Sequence, residues 1–265
     1  MFGLIKSWRR WRLAARPFPE VWNEILQTRW PLFHKLPPPL RDRLKRRIQI
    51  LLAEVQFEGV RGFRITDEVR VLIAAQACLL LLGNDRADFH ELKSVLIHPD
   101  NYDFESTEIL EGGVVHESLE AVDGESWDFG TVTLSWPAVD RGTRNRDYGQ
   151  NVVIHEFAHQ LDQADGLADG APAMRHLGRY AAWQQVFRRE FERLQDQVRR
   201  GRRTVMDDYG ATDPAEFFAV ATECFFEKPR QLKKHRPELY EELRIFYGQD
   251  PASYTSITSA LDPGR

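Results

Sequence analysis

The spacing of apolar and polar residues divides the chain into a helical first third, a central run of strands and a helical last third. Apolar positions recur about every 3.6 residues through the first ninety residues, which predicts helices there. These helices are Pro19 to Arg47, interrupted by the three prolines at 37 to 39, then Leu40 to Glu54, and Asp67 to Leu82 with Thr66 as its cap.

The central part of the chain has the sequence pattern of a small mixed sheet. Short β-branched runs bounded by Gly, Pro or Asp predict strands at Lys93 to His98, Val114 to Val122 and Thr131 to Trp136. Gly130 before the last strand and Pro137 after it are typical of an edge strand, because proline removes a ladder hydrogen bond. We expect this edge strand to flank the next helix, where an extended substrate could pair with it, although a strand that only fills the sheet would fit the pattern equally well.

Helical spacing returns in the last third. It predicts helices over Asn151 to Ala164, Leu177 to Arg199 and Pro214 to Glu227, the last capped by Asp213. The fold class predicted is therefore α+β, mainly helical with a small mixed sheet. The sequence pattern changes near residue 90, which separates a mainly helical region, 1–90, from a region, 91–265, that contains the candidate catalytic residues. We expect the two regions to pack as one compact unit.

Composition excludes two classes of protein. With 42% hydrophobic and 29% charged residues, the chain has enough apolar surface to fold, which argues against disorder. A formal net charge of −4 and a pI of about 6.1 lack the basic balance of a dedicated nucleic-acid binder. No direct nucleic-acid partner is expected.

The sequence points to the cytoplasm. Cys78 and Cys224 are too few for a disulfide framework and lie in apolar stretches, as reduced, buried thiols do. Residues Trp8 to Arg12 interrupt the apolar core that a secretory signal would need. The longest apolar run, Val71 to Leu82, contains Gln76 and is shorter than the ~20 residues of a membrane span. We therefore expect no signal peptide and no membrane span.

The first nineteen residues are basic. They hold five Lys and Arg and no acid, together with Trp8 and Trp11. A frayed, solvated terminus is the simpler interpretation, and contact with an anionic surface is the alternative.

The sharpest chemical feature is HEFAH at residues 155 to 159, within an otherwise apolar helical segment. His155 and His159 are four residues apart, so both imidazoles lie on one helical face and can reach one metal ion. Glu156 lies next to His155, where a carboxylate can hold water without ligating the metal. Burying these groups without a partner is costly, which favours a metal site over two partly exposed histidines.

A catalytic zinc usually has a third protein ligand, and the residues offer two. Asp162, three residues after His159, would lie on the same face, and it could instead accept an imidazole N–H or be solvated. Glu216 also fits the N3 position of a helix that begins at Asp213 and Pro214. Composition and spacing leave this choice open.

Two segments resemble a known family. NVVIHEFAHQLDQADG at 151 to 166, followed by YGATDPAEFFA at 209 to 219, is similar to the Mlc titration factor A family of bacterial zinc metallopeptidases. The same pairing resembles the catalytic domain of anthrax lethal factor. GESWDFGTVTLSW at 124 to 136 also resembles the strand that precedes the active-site helix in the first family.

The resemblance implies a zincin-like fold of the gluzincin type and one zinc ion per chain. It implies that Glu216 is the third ligand and that Tyr209 points at the reacting carbonyl, although a surface aromatic in a turn would look the same. It further implies a peptide or protein substrate, aminopeptidase activity and an Mlc-like transcriptional repressor of sugar uptake as partner. A non-catalytic regulatory binding protein with a structural or vestigial metal site is the alternative.

Glu223 is a further candidate from helical spacing. It lies two turns after Glu216 on the same face, where it could orient a zinc-ligating histidine. A solvated or salt-bridged glutamate explains the spacing equally well.

Overall fold

The computed structural model describes residues 2–84, 88–100, 102–110, 114–122, 124–127, 130–144, 149–166, 169–172 and 177–254. Most of these residues are helical. The α-helices are α1 (Phe2–Ala14), α2 (Glu20–Arg29), α3 (Pro31–Lys35), α4 (Pro38–Glu54), α5 (Asp67–Leu79), α6 (Trp136–Arg144), α7 (Val152–Asp162), α8 (Leu177–Arg199), α9 (Pro214–Glu227), α10 (Pro229–His235) and α11 (Pro237–Tyr247). The strands are β1 (Gln56–Gly59), β2 (Ser94–His98), β3 (Tyr102–Leu110), β4 (Val114–Val122), β5 (Gly124–Trp127) and β6 (Thr131–Ser135).

Side-chain caps define where the important helices begin. Thr66 accepts a hydrogen bond from the Val69 N–H at the start of α5, and Asp213 accepts one from the Glu216 N–H at the start of α9. Both predicted caps are confirmed. The prolines at 38 and 39 occupy the first turn of α4, where a missing N–H costs nothing. The predicted interruption is present, since α3 ends at Lys35 and α4 begins at Pro38.

The main sheet has four strands in the order β1-β2-β6-β5. β1, β2 and β6 run parallel, and β5 is antiparallel to β6. β3 and β4 form a separate antiparallel pair. Val95 and Ile97 of β2 are buried on one face, while alternate residues of that strand are half-buried. The predicted mixed sheet is thus present, and α7 packs against it through β5 and β6.

The prediction that the strand beginning at Thr131 lies at the edge of the sheet was wrong. β6 lies between β2 and β5, so it is an interior strand, and β5 forms the edge beside α7. Pro137 suggested the end of an edge strand, but it is the second residue of α6. The first turn of a helix tolerates proline. Pro137 therefore removes no hydrogen bond from the sheet.

Several elements were not predicted as separate helices or strands, namely β1, β3, β5, α1, α6, α10 and α11. β1 has only four residues and one large apolar side chain, and β3 mixes acidic and apolar residues, so neither shows a β-branched run. The basic N-terminus, expected to be frayed, forms helix α1. Arg10 on α1 makes ion pairs with Glu54 of α4 and with Asp88, which supply the tertiary contacts that the local pattern could not reveal.

One hydrophobic cluster extends from Leu26 to Tyr254 and surrounds α5, α7 and α9. The fold also contains a buried ion pair, in which Arg236 Nη1 lies 2.7 Å from Glu190 Oε2 and both side chains are almost fully buried. Within the ranges given above, no helix combines the length and apolar character needed to cross a membrane.

Candidate metal centre

Helix α7 has one fully apolar side, which fixes the direction of its polar residues. Val153, Ile154, Phe157 and Ala158 have no exposed surface. The Asn151 side chain caps the helix by accepting a hydrogen bond of 3.1 Å from the Ile154 N–H. Because the apolar side must face the core, the two histidines of HEFAH are turned toward α9.

Three side chains meet at this face: His155 and His159 of α7, and Glu216 in the first turn of α9. The two imidazole Nε2 atoms are 3.2 Å apart. Glu216 Oε2 lies 3.0 Å from His155 Nε2, and Glu216 Oε1 lies 3.5 Å from His159 Nε2. In the part of the chain that the structure describes, this is the one group of His, Cys, Asp and Glu side chains that could hold a metal ion.

These separations fit a tetrahedral zinc ion. Ligand atoms about 2.0–2.1 Å from a tetrahedral centre lie about 3.3–3.4 Å from one another. The two nitrogens are 3.2 Å apart, and the Glu216 oxygen nearer to each lies at 3.0 Å from His155 Nε2 (Oε2) and 3.5 Å from His159 Nε2 (Oε1), all close to that value. Two nitrogens and one carboxylate oxygen are also a donor set that zinc accepts.

Electrostatics at the cluster favour a cation. Burial opposes the charged form of His155, but hydrogen bonds to Glu216 and Glu223 outweigh it and raise the pKa of this imidazole well above its usual value. Burial likewise disfavours the Glu216 carboxylate, yet hydrogen bonds from both histidines lower its pKa to about 2. A metal ion binding here must displace the proton on His155, so its affinity rises with pH.

Glu156 lies beside this cluster but is not one of its three converging groups. Its side chain is only 4% exposed. Burial raises the pKa of this carboxyl to about 7, against the opposing influence of His155 and His159. A carboxyl with such a pKa can both accept and release a proton near neutral pH.

Glu223 contacts the other nitrogen of the first histidine. Its Oε1 is 2.8 Å from His155 Nδ1, and its Oε2 accepts a hydrogen bond from the Asn151 N–H. One buried carboxylate therefore joins an imidazole to the start of the helix that carries it. Such a contact fixes the rotation of the ring.

Asp162 is located elsewhere. It is fully buried at the end of α7, and its Oδ2 accepts a hydrogen bond of 2.9 Å from the Gly170 N–H. Its carboxylate is not among the groups that meet at the candidate metal centre. Of the two third-ligand candidates, the fold brings Glu216 to the histidines and gives Asp162 a role in holding the loop after α7.

Tyr209 lies at the open side of the cluster. It belongs to a short 3-10 helix, Asp208–Ala211, and its ring centroid is 6.0 Å from that of His155. The residue is 52% exposed. Asp207 accepts hydrogen bonds from the Tyr209 N–H and from Gln150 Nε2, which ties this turn to the start of α7.

Sequence reasoning missed a buried polar network behind the site. Asn151 Nδ2 donates to Gln76 Oε1 at 2.8 Å and to Glu227 Oε1 at 2.9 Å. Gln76 Nε2 in turn donates to Thr143 Oγ1 at 3.2 Å. The available signals were a glutamine inside the longest apolar run and an asparagine four residues before His155, because polar groups in such positions need partners.

Comparison with known proteins gives a consistent picture. Residues 5–248 match the family described as glucose-regulated metallo-peptidase M90. The chain is 40% identical over 246 residues to the uncharacterized protein slr2042 of Synechocystis sp., covering 92% of this chain and 90% of that protein.

Two bacterial relatives carry the name Mlc titration factor A. The protein from Cronobacter sakazakii is 33% identical over 259 residues, covering 95% of this chain and 94% of its own length. The protein from Escherichia fergusonii is 32% identical over 252 residues, covering 91% and 92% respectively.

Proposed function

We propose that this chain, which belongs to the glucose-regulated metallo-peptidase M90 family, is a zinc-dependent peptidase of the gluzincin type. The observation that carries the proposal is the convergence of two imidazole nitrogens and one carboxylate at separations of 3.0 to 3.5 Å. His155, His159 and Glu216 would hold the ion. Zinc is preferred over cobalt and manganese because imidazole-containing sites bind it more tightly.

A bound zinc ion supplies Lewis acidity, which acidifies water and polarises a carbonyl group. The chain supplies the proton transfers. The Glu156 carboxylate accepts a proton from the attacking water and passes it to the leaving amine. The Tyr209 hydroxyl donates a hydrogen bond to the carbonyl oxygen as negative charge develops there. Glu223 keeps the His155 ring in place through its Nδ1 atom.

The open edge of the sheet suggests how a peptide would be held. β5 is the edge strand beside α7, and its outer backbone groups face away from β6. An extended substrate could add to this edge, so that main-chain hydrogen bonds bind it without regard to sequence. We include aminopeptidase activity in the proposal on the strength of the family resemblance.

A regulatory function is the second candidate, and the names of the relatives favour it. Proteins called Mlc titration factor A align with nearly the whole chain. We propose that an Mlc-like transcriptional repressor is a partner and that the protein acts in the cytoplasm. In the alternative form of this proposal, the protein only sequesters the repressor and its metal site is structural.

The substitution Glu156→Gln separates these functions. The amide matches the carboxylate in shape but cannot take a proton, so we expect stoichiometric zinc by elemental analysis and loss of short-peptide hydrolysis. The parent should lose activity with a chelator and regain it with zinc. Unchanged turnover in the variant would contradict the proton-transfer role, and loss of zinc would make Glu156 a ligand. A parent that binds zinc and a repressor but hydrolyses nothing would favour the regulatory alternative.

A further inference from the structure

The outer side of α1 presents two neighbouring tryptophans that the proposed peptidase chemistry does not use. Trp8 is 58% exposed and Trp11 is 68% exposed. They are three residues apart, so their rings lie on the same side of the helix. Large aromatic side chains are seldom left in water as a pair, and a contiguous exposed apolar patch marks an interaction surface.

Contacts on the inner side fix the orientation of this helix. Arg10 donates to Glu54 of α4 through its Nε at 2.8 Å and is also paired with Asp88. Gln49 Nε2 donates to the carbonyl oxygens of Arg16 and Pro17 just after α1. The tryptophans therefore face outward because the opposite side of α1 is attached to α4.

A basic stripe runs beside the tryptophans. Arg12 on α1 and Arg16, two residues after its end, are both exposed. Arg9 is also exposed, but its Nη2 donates to the Ala53 carbonyl oxygen of α4 at 3.3 Å, so it lies between this surface and α4. The Arg12 guanidinium lies 4.8 Å from the centroid of the Trp8 ring, a cation–π contact. Aromatic rings and guanidinium groups thus form one continuous surface.

We propose that this surface of α1 binds an anionic lipid membrane, with Trp8 and Trp11 in the headgroup layer and the arginines against lipid phosphates. A helix with this arrangement lies in the plane of the interface. Charge supports the choice: the first nineteen residues carry +5, while the remainder of the chain carries −9. An anionic surface attracts the first and repels the second, so the protein would dock in one orientation.

Lipid fits these observations better than nucleic acid does. Tryptophan has its ordinary place at the membrane–water boundary, where its ring is half apolar and half polar. Binding to nucleic acid is driven by many phosphate contacts along a broad basic surface, whereas the chain beyond its first nineteen residues carries a net charge of −9. The attachment concerns the surface alone and does not depend on peptidase activity.

Sedimentation with vesicles tests the proposal on the full chain. The parent should bind vesicles of phosphatidylglycerol and phosphatidylcholine in equal parts, and bind pure phosphatidylcholine weakly. The double variant Trp8→Ala/Trp11→Ala should lower the partition coefficient by at least about tenfold, since two apolar anchors are lost. Arg12→Gln should lower it about fivefold.

The matched control is Arg202→Gln/Arg203→Gln, two exposed arginines of the turn after α8. It should leave binding within about twofold of the parent, and every variant should keep the thermal midpoint of the parent. Equal binding to both vesicle types would overturn the proposal, as would equal losses in the control and tryptophan variants. A DNA duplex that binds the parent more tightly than vesicles do, through the same residues, would assign the surface to nucleic acid instead.

Discussion

Replacing Glu223 with Gln should weaken zinc binding without removing a ligand. The wild-type carboxylate is buried and has both oxygens engaged, one with His155 Nδ1 at 2.8 Å and the other with the Asn151 N–H. A glutamine has one oxygen, so its amide group must face one of these two N–H donors. No bulk water reaches the position to relieve that conflict.

The magnitude follows from these contacts. Loss of an acceptor that orients a ligating histidine typically reduces metal affinity ~10–100-fold, or about 1.4–2.7 kcal/mol. The unsatisfied donor adds a stability cost of about 1–3 kcal/mol. A competition titration against a chromophoric chelator, performed well below the thermal midpoint, measures the first effect and thermal unfolding measures the second.

Glu227→Gln is the matched control. Glu227 also accepts a hydrogen bond from Asn151, but from its side chain, and glutamine keeps an oxygen for it. We expect zinc affinity within about threefold of the parent. If Glu223→Gln and Glu227→Gln bind zinc equally well, the contact with His155 does not orient the ligand and the reasoning is refuted.

Three further outcomes are expected. Glu216→Ala should weaken zinc binding by well over ~100-fold and Asp162→Ala by less, since only the Glu216 carboxylate faces the histidines. The reverse order in a competition titration would identify Asp162 as the third ligand. Tyr209→Phe should lower kcat ~10²–10³-fold with little change in KM, zinc content or thermal midpoint. A kcat equal to that of the parent would show that the Tyr209 hydroxyl has no role in catalysis. Arg236→Met should destabilise the protein by ~1–3 kcal/mol in denaturant unfolding, because Glu190 loses its one buried partner and keeps only longer contacts with the more exposed Arg189 and Arg193. Arg188→Met on the exposed side of α8 should cost under ~1 kcal/mol, and equal costs for the two variants would show that burial of the pair does not matter.

Local rules allowed the sequence to predict α8 and α9 closely. α8 and α9 begin and end where the pattern places them, because a long amphipathic period and an Asp-Pro cap are local signals. The HEFAH spacing was equally informative, since four residues on a helix bring two side chains to one face whatever surrounds them. The α+β class and the meeting of the two imidazoles were therefore available from the sequence.

The identity of the site's remaining partners was decided by tertiary structure. The local sequence identifies Glu216 only as the N3 residue of a helix capped by Asp213. The packing of α9 against α7 places the Glu216 carboxylate beside the histidines, while Asp162 accepts a hydrogen bond from the Gly170 N–H. Asn151 meets Gln76 across 75 residues of sequence, which no local pattern encodes.

Tertiary contacts also decided which strand forms the edge of the sheet and why the N-terminal segment is an ordered helix. β6 is interior because β5 pairs with it, and α1 is held by ion pairs from Arg10 to Glu54 of α4 and to Asp88. Local sequence determined the strongly periodic helices and the β-branched strands, through backbone preference and periodicity. Tertiary structure determined which of their polar groups meet, because those contacts depend on how distant elements pack.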